Sequence, residues 1–218
     1  MRQEKEIYPG INDSDTLLMS RFAGGDLEAF DLLFRQNAPR AHRIAFRFLC
    51  NEEDARDIVQ EAFLRVYISA GSWRPKARFI TWLYRIVSNL CFKHQRRARI
   101  IQLMSLDAPR EGDDGSSVFM EIPAHSADGP LSVLERKERQ EAVKEAISSL
   151  PPNQRMAVIL HRFEELSYKE IAGVLNCSVA AVESLLHRAK LSLRVRLEGY
   201  FHDEPQVSIH SKVKDIEG

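Results

Sequence analysis

The chain has 218 residues, and its 31 Lys plus Arg balance 31 Asp plus Glu, so the formal net charge is zero. Apolar residues make up 44%, enough for one large or two small buried cores. No apolar run approaches the roughly 18 residues of a membrane span, and the start, MRQEKEIYPG, lacks the apolar stretch of a secretory signal, so a cytoplasmic protein without membrane insertion is expected.

Residues 12–100 read as helix after helix, with no alternating β pattern of useful length. Leu27, Phe30, Leu33 and Phe34 recur at helical spacing over 26–34, and Ile44, Ala45, Phe48 and Leu49 do so over 40–49. Asn51 is placed as an N-cap, with Asp54 three residues on in the capping-box position. The helix it opens carries Ala55, Ile58, Val59, Ala62, Phe63 and Val66 as one stripe. Gly71 to Pro75 is a loop. A further helix then faces Phe79, Trp82, Leu83, Ile86, Val87, Leu90 and Cys91 inward.

Residues 101–133 hold several Gly, Pro and Ser and an excess of acid, the composition of a flexible linker. Residues 134–198 form a second, smaller helical unit, whose first helix stops at Pro151-Pro152. Residues 199–218 read as a tail with no assignable role. The expected fold is therefore all-α, two small helical domains joined by a flexible linker.

Zero net charge hides a partition. From Ile68 to Leu106 there are eight basic residues and no acid: Arg74, Lys76, Arg78, Arg85, Lys93, Arg96, Arg97 and Arg99. From Asp107 to Glu135, seven acids stand against Arg110 alone. Basic blocks of this kind are the electrostatic footprint of a polyanion.

The segment Tyr168–Leu186 has the pattern of a DNA-reading helix-turn-helix. Ser167 to Glu170 is a capping box. Ala172 supplies the small residue where two helices cross, with Ile171, Leu175, Cys177, Val182 and Leu185 around it. Asn176 tolerates the left-handed turn, and Ser178 is placed to cap the second helix. That helix then presents Ala180, Ala181, Glu183, Ser184, His187 and Arg188 outward, with Lys190 three residues beyond His187. A plain helical hairpin is the simpler alternative, but it does not account for a face that turns basic toward its end.

Two further surfaces stand out. Asp54, Asp57, Gln60 and Glu61 form an acidic and amide stripe that would repel DNA and suit a protein partner with basic side chains; by spacing alone a solvated helix face is the favoured reading. Aromatic residues interleave with cations over 73–93, as suits single-stranded nucleic acid. Phe79 and Trp82 fit the core, which leaves Trp73, Arg74, Lys76, Arg78, Arg85, Asn89 and Lys93 as exposed candidates. Three scattered cysteines (Cys50, Cys91, Cys177) and seven histidines in no ligand or triad spacing speak against a disulfide framework, a metal site, a hydrolase or a cofactor.

Four motifs in order resemble the extracytoplasmic-function (ECF) sigma factors of bacterial RNA polymerase, the sigma-70 family: Asp54-Ala-Arg-Asp-Ile-Val-Gln-Glu-Ala-Phe63; Phe79-Ile-Thr-Trp-Leu-Tyr-Arg-Ile86 with Asn89; Leu150-Pro151 with Gln154-Arg155; and Leu166-Ser-Tyr-Lys-Glu-Ile-Ala172. The likeness spans about residues 14–198. It implies no enzymatic chemistry. It implies that residues 12–100 dock on the β′ clamp of core RNA polymerase through Asp54, Asp57, Gln60 and Glu61. The 68–93 stretch would open the −10 promoter element and hold its non-template strand. Residues 134–198 would read the −35 element through Ala181, Glu183, Ser184, His187, Arg188 and Lys190, near the β flap. The linker would thread toward the polymerase active site, and an anti-sigma protein would hold the chain in reserve. Glu183 departs from the basic or neutral residue of many relatives, so their −35 sequence does not transfer. The alternative from the residues alone is an autonomous helix-turn-helix regulator with a helical sensor domain, which would bind duplex DNA tightly without polymerase.

Overall fold

The computed structural model describes residues 13–75, 77–104 and 130–198. The described residues form helices without strands: α1 (Ser14–Ala23), α2 (Leu27–Leu49), α3 (Glu52–Ser69), a 3-10 turn at Ala70–Ser72, α4 (Phe79–Met104), α5 (Pro130–Ser148), α6 (Pro152–Arg162), α7 (Tyr168–Leu175) and α8 (Val179–Leu197). The all-α expectation holds. No described helix is long and apolar enough to cross a membrane.

Side-chain caps set the starts of these helices. Asp13 accepts from the Thr16 N–H at 2.7 Å, and Asp26 accepts from that of Ala29 at 3.2 Å. Each satisfies one of the donors that a first turn leaves unpaired. Arg21 pairs with Asp26 at 2.7 Å and holds its carboxyl below the usual carboxylate range. Asn51 caps α3 by accepting from the Asp54 N–H at 2.9 Å. The reciprocal half of the expected box is replaced, because the Asp54 carboxylate turns to His94 Nε2 on α4, 3.1 Å away. The start of α4 is tied from outside: the buried Thr16 hydroxyl of α1 accepts from the Phe79 N–H at 3.0 Å.

The two apolar stretches expected over 26–34 and 40–49 are one helix, α2, which runs straight through Pro39. Proline there removes a backbone donor and costs about 3 kcal/mol in a helix interior. Burial outweighs that cost, since Ala29, Leu33, Ala41, Ile44, Ala45 and Phe48 are each fully buried along the same face. Asn37, also buried, turns its amide to the Leu33 carbonyl at 3.1 Å.

In the first half, α4 lies against α1, α2 and α3 with Phe79, Leu83, Val87 and Cys91 fully buried. Phe22, Phe30, Phe63 and Tyr67 form a ring cluster between α1, α2 and α3, with centroids 4.8–6.4 Å apart. Burial pushes the Cys91 thiol up to about 12. In the second half, α6, α7 and α8 surround Met156, Ile159, Leu160, Ile171 and Val182, all fully buried.

The linker expected over 101–133 is shortened at both ends. Helix α4 continues to Met104 and α5 begins at Pro130, a proline at a first helical position where its missing N–H costs nothing. Residues 105–129 and the tail at 199–218 lie outside the described residues. The halves were also read as separate units, yet they share one hydrophobic cluster: α7 packs on α4, and α6 on α2.

Two outcomes follow from this packing. Leu83→Ala leaves a cavity in the first half and should cost about 2–5 kcal/mol in urea unfolding monitored by circular dichroism. The box that opens α7 is complete, with Glu170 accepting from both the Ser167 hydroxyl (2.7 Å) and the Ser167 N–H (3.0 Å). These bonds, aided by Arg78, hold the Glu170 carboxyl below its ordinary value of 4.5. A depressed carboxyl stabilises the fold above its unfolded pKa, and that contribution is lost as pH falls through the folded value. Ser167→Ala should therefore cost about 1 kcal/mol and move the Glu170 titration, followed by NMR, back up toward 4.5.

Candidate nucleic-acid and protein interfaces

The helix-turn-helix forms as its residues dictate. Asn176 ends α7 in the left-handed region at φ 53°, ψ 49°, and its N–H is bonded to the Ala172 carbonyl. Ser178 then caps α8 by accepting from the Ala181 N–H at 3.2 Å. Ile171, Ala172 and Val182 are buried at the crossing, and Leu175, Cys177 and Leu185 are partly buried around it. Glu183, Ser184, His187, Arg188 and Lys190 are exposed on α8, while Ala181 is half-buried. The Ser184 hydroxyl donates to the Ala180 carbonyl at 2.9 Å, and Arg188 Nε donates to the Ser184 carbonyl at 3.2 Å. Arg188 is thus folded along the helix, with its head near the outward face.

The acidic stripe on α3 is less uniform than its spacing suggested. Asp57 and Gln60 are exposed. Asp54 is half-buried against His94, and Glu61 is half-buried in a 2.9 Å pair with Arg65 one turn on. Exposed apolar groups continue the same helix toward its end: Leu64 at 53%, Tyr67 at 50% and Ile68 at 72%. An acidic stripe flanked by uncovered apolar side chains has the chemistry of a protein-docking surface more than of a solvated face.

On the basic stretch, Arg74, Arg78, Arg85, Asn89 and Lys93 are exposed. Lys76 lies outside the described residues. Trp73 corrects the expectation. It was placed among the exposed candidates, but it is only 8% exposed. Its ring sits 4.8 Å from Trp82 and 6.3 Å from Phe79, so it packs the loop down onto α4 instead of offering a face to bases. The 3-10 turn at Ala70–Ser72 leads the chain into this residue, whose N–H is bonded to the Ala70 carbonyl. The basic run ends at an open cleft of about 430 Å³ between α4 and the start of α6, lined by Phe92, Gln95, Arg96, Arg99, Gln154 and Leu185. Among the described residues no cluster of His, Cys, Asp and Glu has the arrangement to hold a metal ion.

Arg155, Glu164, Tyr84 and Arg47, to which no sequence pattern gives a contact between the halves, make the seam between them. Arg155 Nη1 donates to the Phe48 carbonyl at 2.8 Å. The Glu164 carboxylate accepts from the Tyr84 hydroxyl at 2.7 Å and faces Arg47 at 3.8 Å. Arg47 lies 4.3 Å above the Phe163 ring. One signal for them was present: Arg155 sits four residues before Ile159 and beside Met156, on the buried side of α6. A charge on an apolar face marks a contact that the element's own unit does not supply.

Residues 33–100 match the family model for Sigma-70 region 2, and residues 140–193 match that for Sigma-70, region 4. The chain is 33% identical over 190 residues to the RNA polymerase sigma-H factor of Pseudomonas aeruginosa, covering 85% of this chain and 95% of that one. It is 33% identical over 175 residues to the ECF RNA polymerase sigma factor SigW of Bacillus subtilis (79% and 91% covered). It is 32% identical over 181 residues to the ECF RNA polymerase sigma-E factor of Escherichia coli K12 (81% and 91% covered). In fold it is similar to the sigma factor RpoE, solved with the anti-sigma factor NepR from Bartonella quintana, at TM-score 0.58, 22% identity, and 78% and 96% coverage. It is similar likewise to CnrH, solved with the cytosolic domain of CnrY, at TM-score 0.60, 24% identity, and 86% and 99% coverage. With two helical regions in the family order and full-length relatives above 30% identity, this chain belongs to the ECF RNA polymerase sigma factors.

Proposed function

We propose a division of labour for this sigma factor in which residues 12–100 dock on the β′ clamp and capture the melted −10 element, the 101–133 linker threads toward the polymerase active site, and residues 134–198 read the −35 element beside the β flap. Docking is assigned to Asp57, Gln60 and Glu61, with Asp54 supporting them from its pair with His94. Strand capture is assigned to Arg74, Lys76, Arg78, Arg85, Asn89 and Lys93. Groove reading is assigned to Ala181, Glu183, Ser184, His187, Arg188 and Lys190. Trp73 leaves the capture set because it is buried.

The observation that carries this reading is the segregation of charge onto separate helices: acids on the outward side of α3, and an acid-free run along α4. A DNA duplex is repelled by the first and drawn to the second. Opening it costs about 1.4 kcal/mol per step in lost stacking, and base stacking on protein returns roughly 1–3 kcal/mol per captured base. A few captured bases offset much of a short bubble, and polymerase supplies the rest. Glu183, exposed at the groove-reading end of α8, suits acceptance from a cytosine amino group. A protein with these tasks works in the cytoplasm, where an anti-sigma protein would compete for the same faces.

Run-off transcription with core polymerase tests the whole assignment: the chain should give promoter-dependent transcripts with core and none without it. Asp57→Lys with Glu61→Lys should abolish co-purification with core while leaving the helical circular dichroism unchanged; retained co-purification would move the docking surface elsewhere. Arg188→Ala should weaken promoter binding, by about 1–3 kcal/mol if it makes a bidentate base contact. Glu183→Ala should change the preferred base in a −35 substitution scan.

A further inference from the structure

The last turns of α4 carry charge that the rest of the chain leaves unanswered. Arg21, Arg47, Arg56, Arg65 and Arg78 each face a carboxylate at 2.7–3.8 Å. Arg96 and Arg99 are exposed and meet none among the described residues. With Phe92 and Gln95 they stand at positions i, i+3, i+4 and i+7, so the four side chains share one face of α4. That face is one wall of the cleft of about 430 Å³, and the opening of α6 with Leu185 of α8 forms the other. No acid is found among the described residues that line it. The volume falls within the range of small-molecule sites, about 300–1,000 Å³.

The wall made by α6 is unfinished in two ways. Gln154 Oε1 is enclosed, yet no described residue donates to it. Buried amide oxygens without a donor are rare, because each has given up water without a replacement. Pro151 opens α6 without a side-chain cap, so no side chain takes up the N–H groups of its first turn. The next residue after Gln154, Arg155, is 8% exposed, and its Nε is also without a partner. Burial pushes that guanidinium below its ordinary pKa, and repulsion from Arg99 pushes the same way. Positive charge therefore gathers here with no carboxylate paired to it. An anion relieves the repulsion, and an amino group satisfies Gln154.

We propose that this cleft binds a free adenine nucleotide, a di- or triphosphate, with its phosphates on Arg96 and Arg99 at the positive end of α6 and its base against Phe92 and Leu185, where Gln154 reads the adenine edge. Side chains at i and i+3 of a helix stand about 5–6 Å apart at Cβ, which suits two linked phosphates. Guanidinium groups hold phosphate through paired N–H donors. An aromatic ring and an apolar side chain give a base surfaces to stack on. The amide of a glutamine accepts from the N6 amino group of adenine and donates to N7. Guanine and hypoxanthine carry an oxygen in place of that amino group and leave the enclosed Gln154 oxygen without a donor. The site goes beyond docking, capture and reading, since no residue of those sets lines it.

Isothermal titration calorimetry of the full-length chain in metal-free buffer tests this without polymerase or promoter DNA. ATP and ADP should bind saturably at one site per chain, and AMP about 10-fold more weakly for want of the second phosphate. Inosine triphosphate, with oxygen where adenine has its amino group, should also bind about 10-fold more weakly than ATP. Arg96→Ala with Arg99→Ala should weaken ATP binding by at least about 10-fold with unchanged helical circular dichroism, since both side chains are exposed. Gln154→Ala should bind ATP and inosine triphosphate alike. An absence of saturable ATP binding overturns the proposal. Inorganic tripolyphosphate that binds as tightly as ATP overturns it too, in favour of a general anion site. So does oligo(dT)20 that displaces ATP from the wild type, in favour of a nucleic-acid surface.

Discussion

One helix constrains everything else in this sigma factor. α4 buries Phe79, Leu83, Val87 and Cys91 among α1, α2 and α3, and along its other sides it carries cations without a single carboxylate. Apolar burial fixes its position; the absence of acid leaves its exposed sides free to meet a polyanion. Neither property would serve without the other. A cationic helix with no core behind it would fray, and a buried helix with mixed charge would have nothing to offer DNA.

Much of this was legible in the sequence, for local reasons. Period-3.6 stripes gave the helices, and capping chemistry gave several starts, because Asn51, Ser167 and Ser178 act on donors only three residues away. Asn176 was legible because few residues accept a left-handed turn. What stayed hidden depends on partners distant in the chain. Pro39 is tolerated because Leu33 and Ala41 are buried on either side of it. Trp73 is drawn inward by Trp82 and Phe79. Asp54 gives up half of its capping box to a histidine forty residues away. The seam is the extreme case: Arg155 and Phe48 are 107 residues apart, and no local pattern pairs a guanidinium with one helix-end carbonyl.

The distribution of charge separates the candidate surfaces more cleanly than their shape does. On α3, Asp57 and Gln60 are exposed while Asp54 and Glu61 are paired, so the acidic stripe is already partly neutralised within the chain. Partial neutralisation lowers the desolvation penalty on docking and leaves the flanking Leu64, Tyr67 and Ile68 to contribute apolar area. On α8 the reverse holds. Its outward face keeps Glu183 and Arg188 exposed, with Arg188 lying back along the helix to the Ser184 carbonyl.

The sulfur at position 91 has a chemical corollary. It is fully enclosed in the middle of α4 and stays in the thiol form across the range in which cells operate. Only the thiolate attacks peroxide, disulfides or alkylating reagents at useful rates. The central turn of α4 is therefore chemically quiet, and it should come through an oxidative burst or a labelling reaction unmodified while the native fold persists.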